Sequence, residues 1–152
     1  MAGYPEPSPG LVISYSFLWS EEAEQGQVEG RKDRPCAIVV ALTGADPGTP
    51  MQVAVVPITH SPPPDLKVAI EIPRRVKEHL GLDSERSWII ADEFNVFAWP
   101  GFDLRPIGHD GRTHYGFLPP RLFDQLIERI RRLDLQGVIA PAATQIPPAV
   151  AT

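Results

Sequence analysis

Four polar side chains stand where apolar segments begin or end, and their types suit a site that binds a phosphate group. They are Arg34, Thr59, His60 and Asp92. The planar fork of an arginine matches two phosphate oxygens and keeps its charge. A threonine hydroxyl can donate a hydrogen bond to the same phosphate, and histidine and aspartate can take or give a proton. Ordinary alternatives stay open, namely a surface ion pair for the arginine and turns for the other three.

The apolar segments beside these residues predict strands, because they alternate or are rich in β-branched residues. We expect strands at Leu11–Trp19, Pro35–Leu42, Met51–Thr59, Lys67–Pro73, Ser87–Ala91 and Asn95–Trp99. The segment Pro73–Leu82 predicts a short helix, and Leu118–Gly137 predicts a long one with a 3.6-residue apolar period. The segment Gly101–Gly116 is expected to be a loop. Many short strands and one C-terminal helix favour a small antiparallel barrel capped by that helix.

The same periodicities predict a single core for the domain. Its expected members are Val12, Ile38, Val40, Val53, Val55, Ile70, Ile89 and Leu126. The polar, glycine-containing segment Ser20–Asp33 is expected to be a long loop that is mobile in the free protein, as functional loops often are.

Length and composition fit one globular domain, which we place at residues 10–136 between a flexible stretch at 1–9 and a proline-rich tail at 137–152. No run approaches the roughly 20 apolar residues that span a bilayer, and no secretion signal is evident. The single cysteine, Cys36, excludes an internal disulfide and suits the cytoplasm. The net charge of −5 argues against a binder of duplex DNA.

Three stretches in order resemble the MazF/PemK/Kid family of toxin endoribonucleases. They are "GRKDRPCAIVVAL" with its Arg-Pro before a strand, "VAVVPITHS" with its Pro-Ile-Thr, and "SWIIADEFNVFAW" with an acidic residue before a turn. The resemblance runs from about Pro9 to Leu135. It implies an SH3-like barrel with a C-terminal helix, a homodimer, metal-independent cleavage of single-stranded RNA, and an antitoxin protein as partner.

The resemblance also implies roles for particular residues. The family's catalytic arginine and threonine match Arg34 and Thr59, and the aspartate of its PemK/Kid branch matches Asp92. The chain departs from the family at Ile90, where that branch has an arginine, and at Asn95, where a basic residue is frequent. The residues assigned to RNA binding are Arg31, Lys32, Ser61, Asn95 and Trp19, the last by stacking on bases.

Cleavage of RNA without a metal needs a base for the 2′-hydroxyl, an acid for the leaving oxygen and donors for the charged phosphorane. His60 could take either proton-transfer role, and Asp92 could be the base or could orient a histidine. We expect no cofactor and no metal, because His109 and His114 have no cysteine near them. The competing hypothesis is a binding module, the same barrel with a degraded site, which the losses at Ile90 and Asn95 favour.

Overall fold

The structure is a computed structural model of the chain, and it describes residues 4–21, 33–44, 46, 48–100, 104–107, 111–137, 139 and 143–144. Within these ranges the chain forms strands β1 (Leu11–Ser16), β2 (Asp33–Leu42), β3 (Gln52–Thr59), β4 (Ala69–Glu71), β5 (Trp88–Ile90), β6 (Asn95–Ala98), β7 (His114–Phe117) and β8 (Ala143–Thr144). The helices are α1 (Arg74–Leu80) and α2 (Pro120–Leu135), and a 3₁₀ turn at Leu66–Val68 leads into β4.

The strands form one mainly antiparallel sheet. Its main path runs β4-β5-β3-β2-β1-β7, while β6 pairs with β3 and β8 pairs with β6. The β6–β8 pair is parallel, and the other described pairs are antiparallel. The prediction of a mainly β fold with helices is therefore confirmed. Among the described strands the hydrogen-bonded path does not close on itself, since β4 and β7 end it.

Both predicted helices form, because their end signals agree with the backbone. Helix α1 begins after Pro73, and Gly81 ends it at a φ of 71°, a left-handed conformation that glycine adopts at little cost. Helix α2 has Pro120 in its first turn. It buries Leu122, Leu126 and Leu133 against the sheet, each worth about 1.5–3 kcal/mol of transfer free energy.

The prediction of a single core is wrong in one respect, because the sheet separates two main clusters on its faces. One contains Val12, Ile89 and Leu126, with Ile70 packed beside it. The other contains Ile38, Val53 and Val55. Val40 belongs to neither and is 43% exposed, because a bulge between Ile38 and Val40 shifts the register of β2 against β3.

Two strands lie where the sequence predicted none. β7 occupies the end of the expected loop Gly101–Gly116 and pairs with β1, with a second bulge between Val12 and Ile13. β8 lies inside the expected tail.

Near the N-terminus Pro7 is buried, and the Gly10 N–H donates to the Ile38 carbonyl at 2.7 Å. In the part of the chain that the structure describes, no helix is long and apolar enough to cross a membrane.

Candidate functional site

The candidate site lies where β2 and β3 stop pairing. Their ladder reaches Cys36 opposite Pro57, and Pro35 and Pro57 have no N–H with which to continue it. Extending the register by two residues sets Arg34 beside Thr59. On the outer sides of this row, Tyr15 pairs with Arg34 and Trp88 pairs with Thr59.

A cavity of about 450 Å³ opens at this point. Its lining includes Arg34, Thr59, His60, Ser61, Asp83 and Tyr115. The structure therefore brings together three of the four residues predicted to be catalytic and one of those predicted to bind RNA. Asp83 and Tyr115 were not among the predicted site residues.

Arg34 is half-buried, and its guanidinium carbon lies 5.1 Å from the centroid of the Trp19 ring, a cation–π contact. Its Nε atom is buried and has no hydrogen-bond partner among the described residues. The neighbouring Asp33 carboxylate lies 3.6 Å from the Nε atom of Arg105. In the described part of the chain, the guanidinium thus rests on an aromatic ring and keeps hydrogen-bonding capacity.

Thr59 ends β3 with its hydroxyl oxygen accepting a hydrogen bond from the Ser61 N–H at 3.2 Å. This contact fits the alternative role of Thr59 as a turn-forming residue. It uses the oxygen as an acceptor only, so the hydroxyl proton can still be donated to a phosphate oxygen.

His60 lies between two carboxylates. Its Nε2 atom is 2.8 Å from Asp83 Oδ2, and its Nδ1 atom is 3.2 Å from Glu85 Oε2. The ring and both carboxylates are well exposed, but Asp83 is fixed from behind. Its Oδ1 atom accepts from the buried Lys77 ammonium at 2.7 Å and from the Glu85 N–H at 3.1 Å.

Lys77 ties this cluster to the fold. It lies in the last turn of α1 and is 5% exposed, and its ammonium also donates to the Glu85 carbonyl. Partial burial alone would raise the pKa of Asp83, but the hydrogen bonds from Lys77 and from the Glu85 backbone outweigh it and lower that pKa. Asp83 therefore stays ionised at neutral pH. The nearest polar side-chain atoms of His60, Asp83 and Glu85 lie within 4.8 Å of one another.

Asp92 lines a different cavity, about 590 Å³ in volume, with Trp19, Pro63, Asp65 and Glu93 among its neighbours. Burial is the main cause that raises the pKa of Asp92, and the charge of Glu93 adds to it. Ile90 is buried in a small cluster with Trp88. The residue that the resemblance pairs with Arg34 and Thr59 is thus not on the lining shared by those two.

Asn95 is fully buried and holds the chain after β1 in place. Its Oδ1 atom accepts from the Leu18 N–H at 2.7 Å, and its Nδ2 atom donates to the carbonyls of Leu18 at 2.6 Å and Phe94 at 3.0 Å. Two residues after Leu18, the Ser20 N–H and hydroxyl donate to the Glu93 carboxylate at 2.8 and 2.6 Å. The hydrogen bonds of the Asn95 side chain to Leu18 and Phe94 give this residue a structural function.

Three other predicted residues complete the account. Trp19 is partly buried and contacts Phe17 edge-on as well as Arg34, so one of its ring faces is already covered. Arg31 and Lys32 lie outside the described residues. Burial raises the pKa of the Cys36 thiol far above its usual range despite the opposing charge of Arg34, and this thiol is unsuited to act as a nucleophile.

The carboxylates around His60 have no clear signal in the sequence. Asp83 and Glu85 follow the glycine that ends α1, in a polar loop that resembles any solvated turn. More than twenty residues separate them from His60, and only the pairing of β3 with β5 brings the two segments together.

No protein-family model matches the chain, and a search of curated proteins finds no significant similarity.

Proposed function

We propose that the chain is a metal-independent endoribonuclease that cleaves single-stranded RNA at the cavity lined by Arg34, Thr59 and His60. The observation that carries this proposal is that one cavity collects a guanidinium, hydroxyls and an imidazole, the groups that phosphodiester transfer needs. The cavity lies at the ends of β2 and β3, the strands that carry two of the motifs resembling MazF and PemK.

The reaction proposed here uses the substrate's own hydroxyl as nucleophile. His60 takes the proton of the 2′-hydroxyl, and the 2′-oxygen forms a bond to phosphorus. The P–O5′ bond breaks, and the leaving oxygen takes up a proton from the imidazolium or from water. The products are a 2′,3′-cyclic phosphate and a free 5′-hydroxyl. Arg34 and the Thr59 hydroxyl would face the nonbridging oxygens, whose charge grows in the transition state.

The wider biological context rests on the resemblance. In this proposal the chain is the toxin of a toxin–antitoxin pair in the cytoplasm, acts as a homodimer, and is inhibited by an antitoxin protein. Its sheet would be the described part of an SH3-like barrel. Asp92 would then contribute from the neighbouring cavity, by contacting RNA rather than the scissile phosphate.

Replacement of the arginine tests the proposal directly. Arg34→Ala should lower the rate of the chemical step about 10²–10³-fold, because a preorganised contact to the phosphorane is lost. Binding of RNA should weaken much less, because the contact strengthens in the transition state. Arg34→Lys should recover only part of the rate, since a point charge does not replace the guanidinium fork. The measurement is single-turnover cleavage of a mixed-sequence RNA, together with RNA affinity by filter binding.

Arg121→Ala, at an exposed residue of α2, is the control for loss of one positive charge. It should cleave like the wild type. Equal rates for wild type and Arg34→Ala would disprove the role of Arg34. Early melting of Arg34→Ala, with unchanged activity in the folded fraction, would make Arg34 a structural residue.

A second function, an RNA- or protein-binding module without cleavage, is favoured by the environment of Arg34. Its guanidinium stacks on Trp19, and the lining of its cavity does not include Asp92. Proteins that bind single-stranded RNA combine aromatic rings, on which bases stack, with cation–π contributions from arginine. Expression with growth and RNA integrity followed together separates the two functions: binding of RNA that stays intact would support the module.

A further inference from the structure

We infer that Asp83 is a positioning residue that fixes His60 in one tautomer, with the proton on Nε2 and the lone pair on Nδ1. The inference concerns the site of the proposed function and identifies which ring nitrogen acts as its base. Neither the sequence motifs nor the family resemblance points to Asp83.

The two oxygens of Asp83 have different duties. Oδ1 accepts from Lys77 and from the Glu85 N–H, so it is held by two donors on the protein side. Oδ2 is left facing His60 Nε2 at 2.8 Å. A carboxylate can only accept, and it is ionised here, so Nε2 must carry the proton.

Glu85 has a different role because a neutral ring carries one proton. Asp83 lies closer to its nitrogen and is held by two donors, whereas the Glu85 side chain is 71% exposed. A carboxylate gains nothing from a lone pair, so the exposed Glu85 side chain would give way to a substrate hydroxyl at Nδ1. Once Nδ1 has taken the proton, the imidazolium can donate to both carboxylates, Asp83 at one nitrogen and Glu85 at the other. Asp83 thus sets the tautomer before the reaction, and Glu85 stabilises the charge after it.

Asp83→Asn tests the inference because only one orientation of the Asn amide keeps the hydrogen bonds from Lys77 and from the Glu85 N–H. The Asn oxygen must accept from Lys77 and the Glu85 N–H, which turns the NH₂ group toward His60 Nε2. Nε2 would then have to accept, and the proton would move to Nδ1. Glu85→Gln has the opposite consequence, since a Gln NH₂ donating to Nδ1 preserves the original tautomer.

The experiment is ¹⁵N NMR of the imidazole through a pH titration, read at the end where the ring is neutral. The wild type and Glu85→Gln should show the Nε2–H tautomer, and Asp83→Asn should show Nδ1–H. In RNA cleavage, Asp83→Asn should lower kcat by about 10²-fold or more with little change in KM, as expected for a base in the wrong tautomer. Asp124→Asn, at an exposed residue of α2, controls for the lost charge.

The results separate this inference from the proposed function. A wild-type ring in the Nδ1–H form, or an even mixture, overturns the inference even if RNA is cleaved and even if Asp83→Asn does not fold. The Nε2–H form in a protein that cleaves no RNA upholds the positioning and refutes the endoribonuclease. A ring signal that responds to Zn²⁺ or Mn²⁺ and activity that depends on the ion would make the cluster a metal site and also overturn the inference.

Discussion

Asp83 and Asp92 lie at neighbouring cavities of the same sheet, and their surroundings act on them in opposite directions. Asp83 accepts hydrogen bonds from Lys77 and the Glu85 backbone, and its pKa is lowered. Asp92 is partly buried beside Glu93, and its pKa is raised. Of the two, Asp83 contacts a histidine. A carboxylate placed by a sequence motif and one held by a hydrogen-bond network are thus two candidates for the same role.

The largest expected difference between the two cavities is in RNA cleavage after one side chain is removed from each. His60→Ala should slow RNA cleavage about 10²–10⁴-fold, because a positioned acid–base group is removed. Asp92→Ala should stay within about threefold of the wild type, a change of less than about 1 kcal/mol in the barrier. Single-turnover rates at saturating RNA are the measurement. A loss for Asp92→Ala as large as that for His60→Ala would return the base to the motif aspartate.

The second test asks whether the turn that carries Asp92 is chiefly structural. Asn95→Ala should destabilise the protein by about 2–4 kcal/mol, since it leaves the buried N–H and carbonyl of Leu18 without their partner. Asn95→Asp keeps an acceptor for the N–H but turns a carboxylate oxygen toward the Leu18 carbonyl in a fully buried site, so at neutral pH it should destabilise the protein at least as much. Urea denaturation measures both. If Asn95→Ala is as stable as the wild type but binds RNA weakly, Asn95 belongs to the RNA surface.

The smallest expected effect is on stability, and it has opposite signs for the two aspartates. A lowered folded-state pKa stabilises the folded protein above the unfolded-state pKa, and this stabilisation is lost as pH falls through the folded-state pKa. Asp83→Asn should therefore lower the free energy of unfolding at pH 7 and change it little in acid. Raising a folded-state pKa has the opposite effect, so Asp92→Asn should gain stability at pH 7 and lose that gain as pH falls through the usual range of an aspartate. Each change should be about 0.5–1 kcal/mol, because both groups are partly exposed.

Thermal melts from about pH 3 to pH 7 would show these trends. Two variants that respond to pH in the same direction would show that the environments of the two aspartates are alike. Because folding alone is measured, this result stands whether or not the protein cleaves RNA.

Sequence patterns predict the elements whose end signals act over a few residues. The two helices are predictable because Pro73, Gly81 and Pro120 act within a turn of their own position. β7 is not predictable in this way, because "HYGF" has no clear alternation and Gly116 has a φ of 141°. The exposure of Val40 depends on a bulge, which is a property of two strands together. The same limit applies to the site: Arg34, Thr59 and His60 end predicted strands, whereas Asp83 reaches His60 only through the tertiary fold.

The divided pairing of β3 has a consequence for how the protein opens. On one edge β3 pairs with β6 up to Val55 and with β5 from Ile58. The antiparallel pair β4–β5, whose strands are connected through α1, is therefore paired with β3 at two positions. One of these pairs is Thr59 with Trp88. Cooperative units joined by few contacts open before the rest of a structure does, and amide hydrogen exchange reports their free energy. The backbone of Thr59 therefore depends on a ladder of two residue pairs, and amide exchange there would show whether this ladder opens before the buried cluster that contains Ile89.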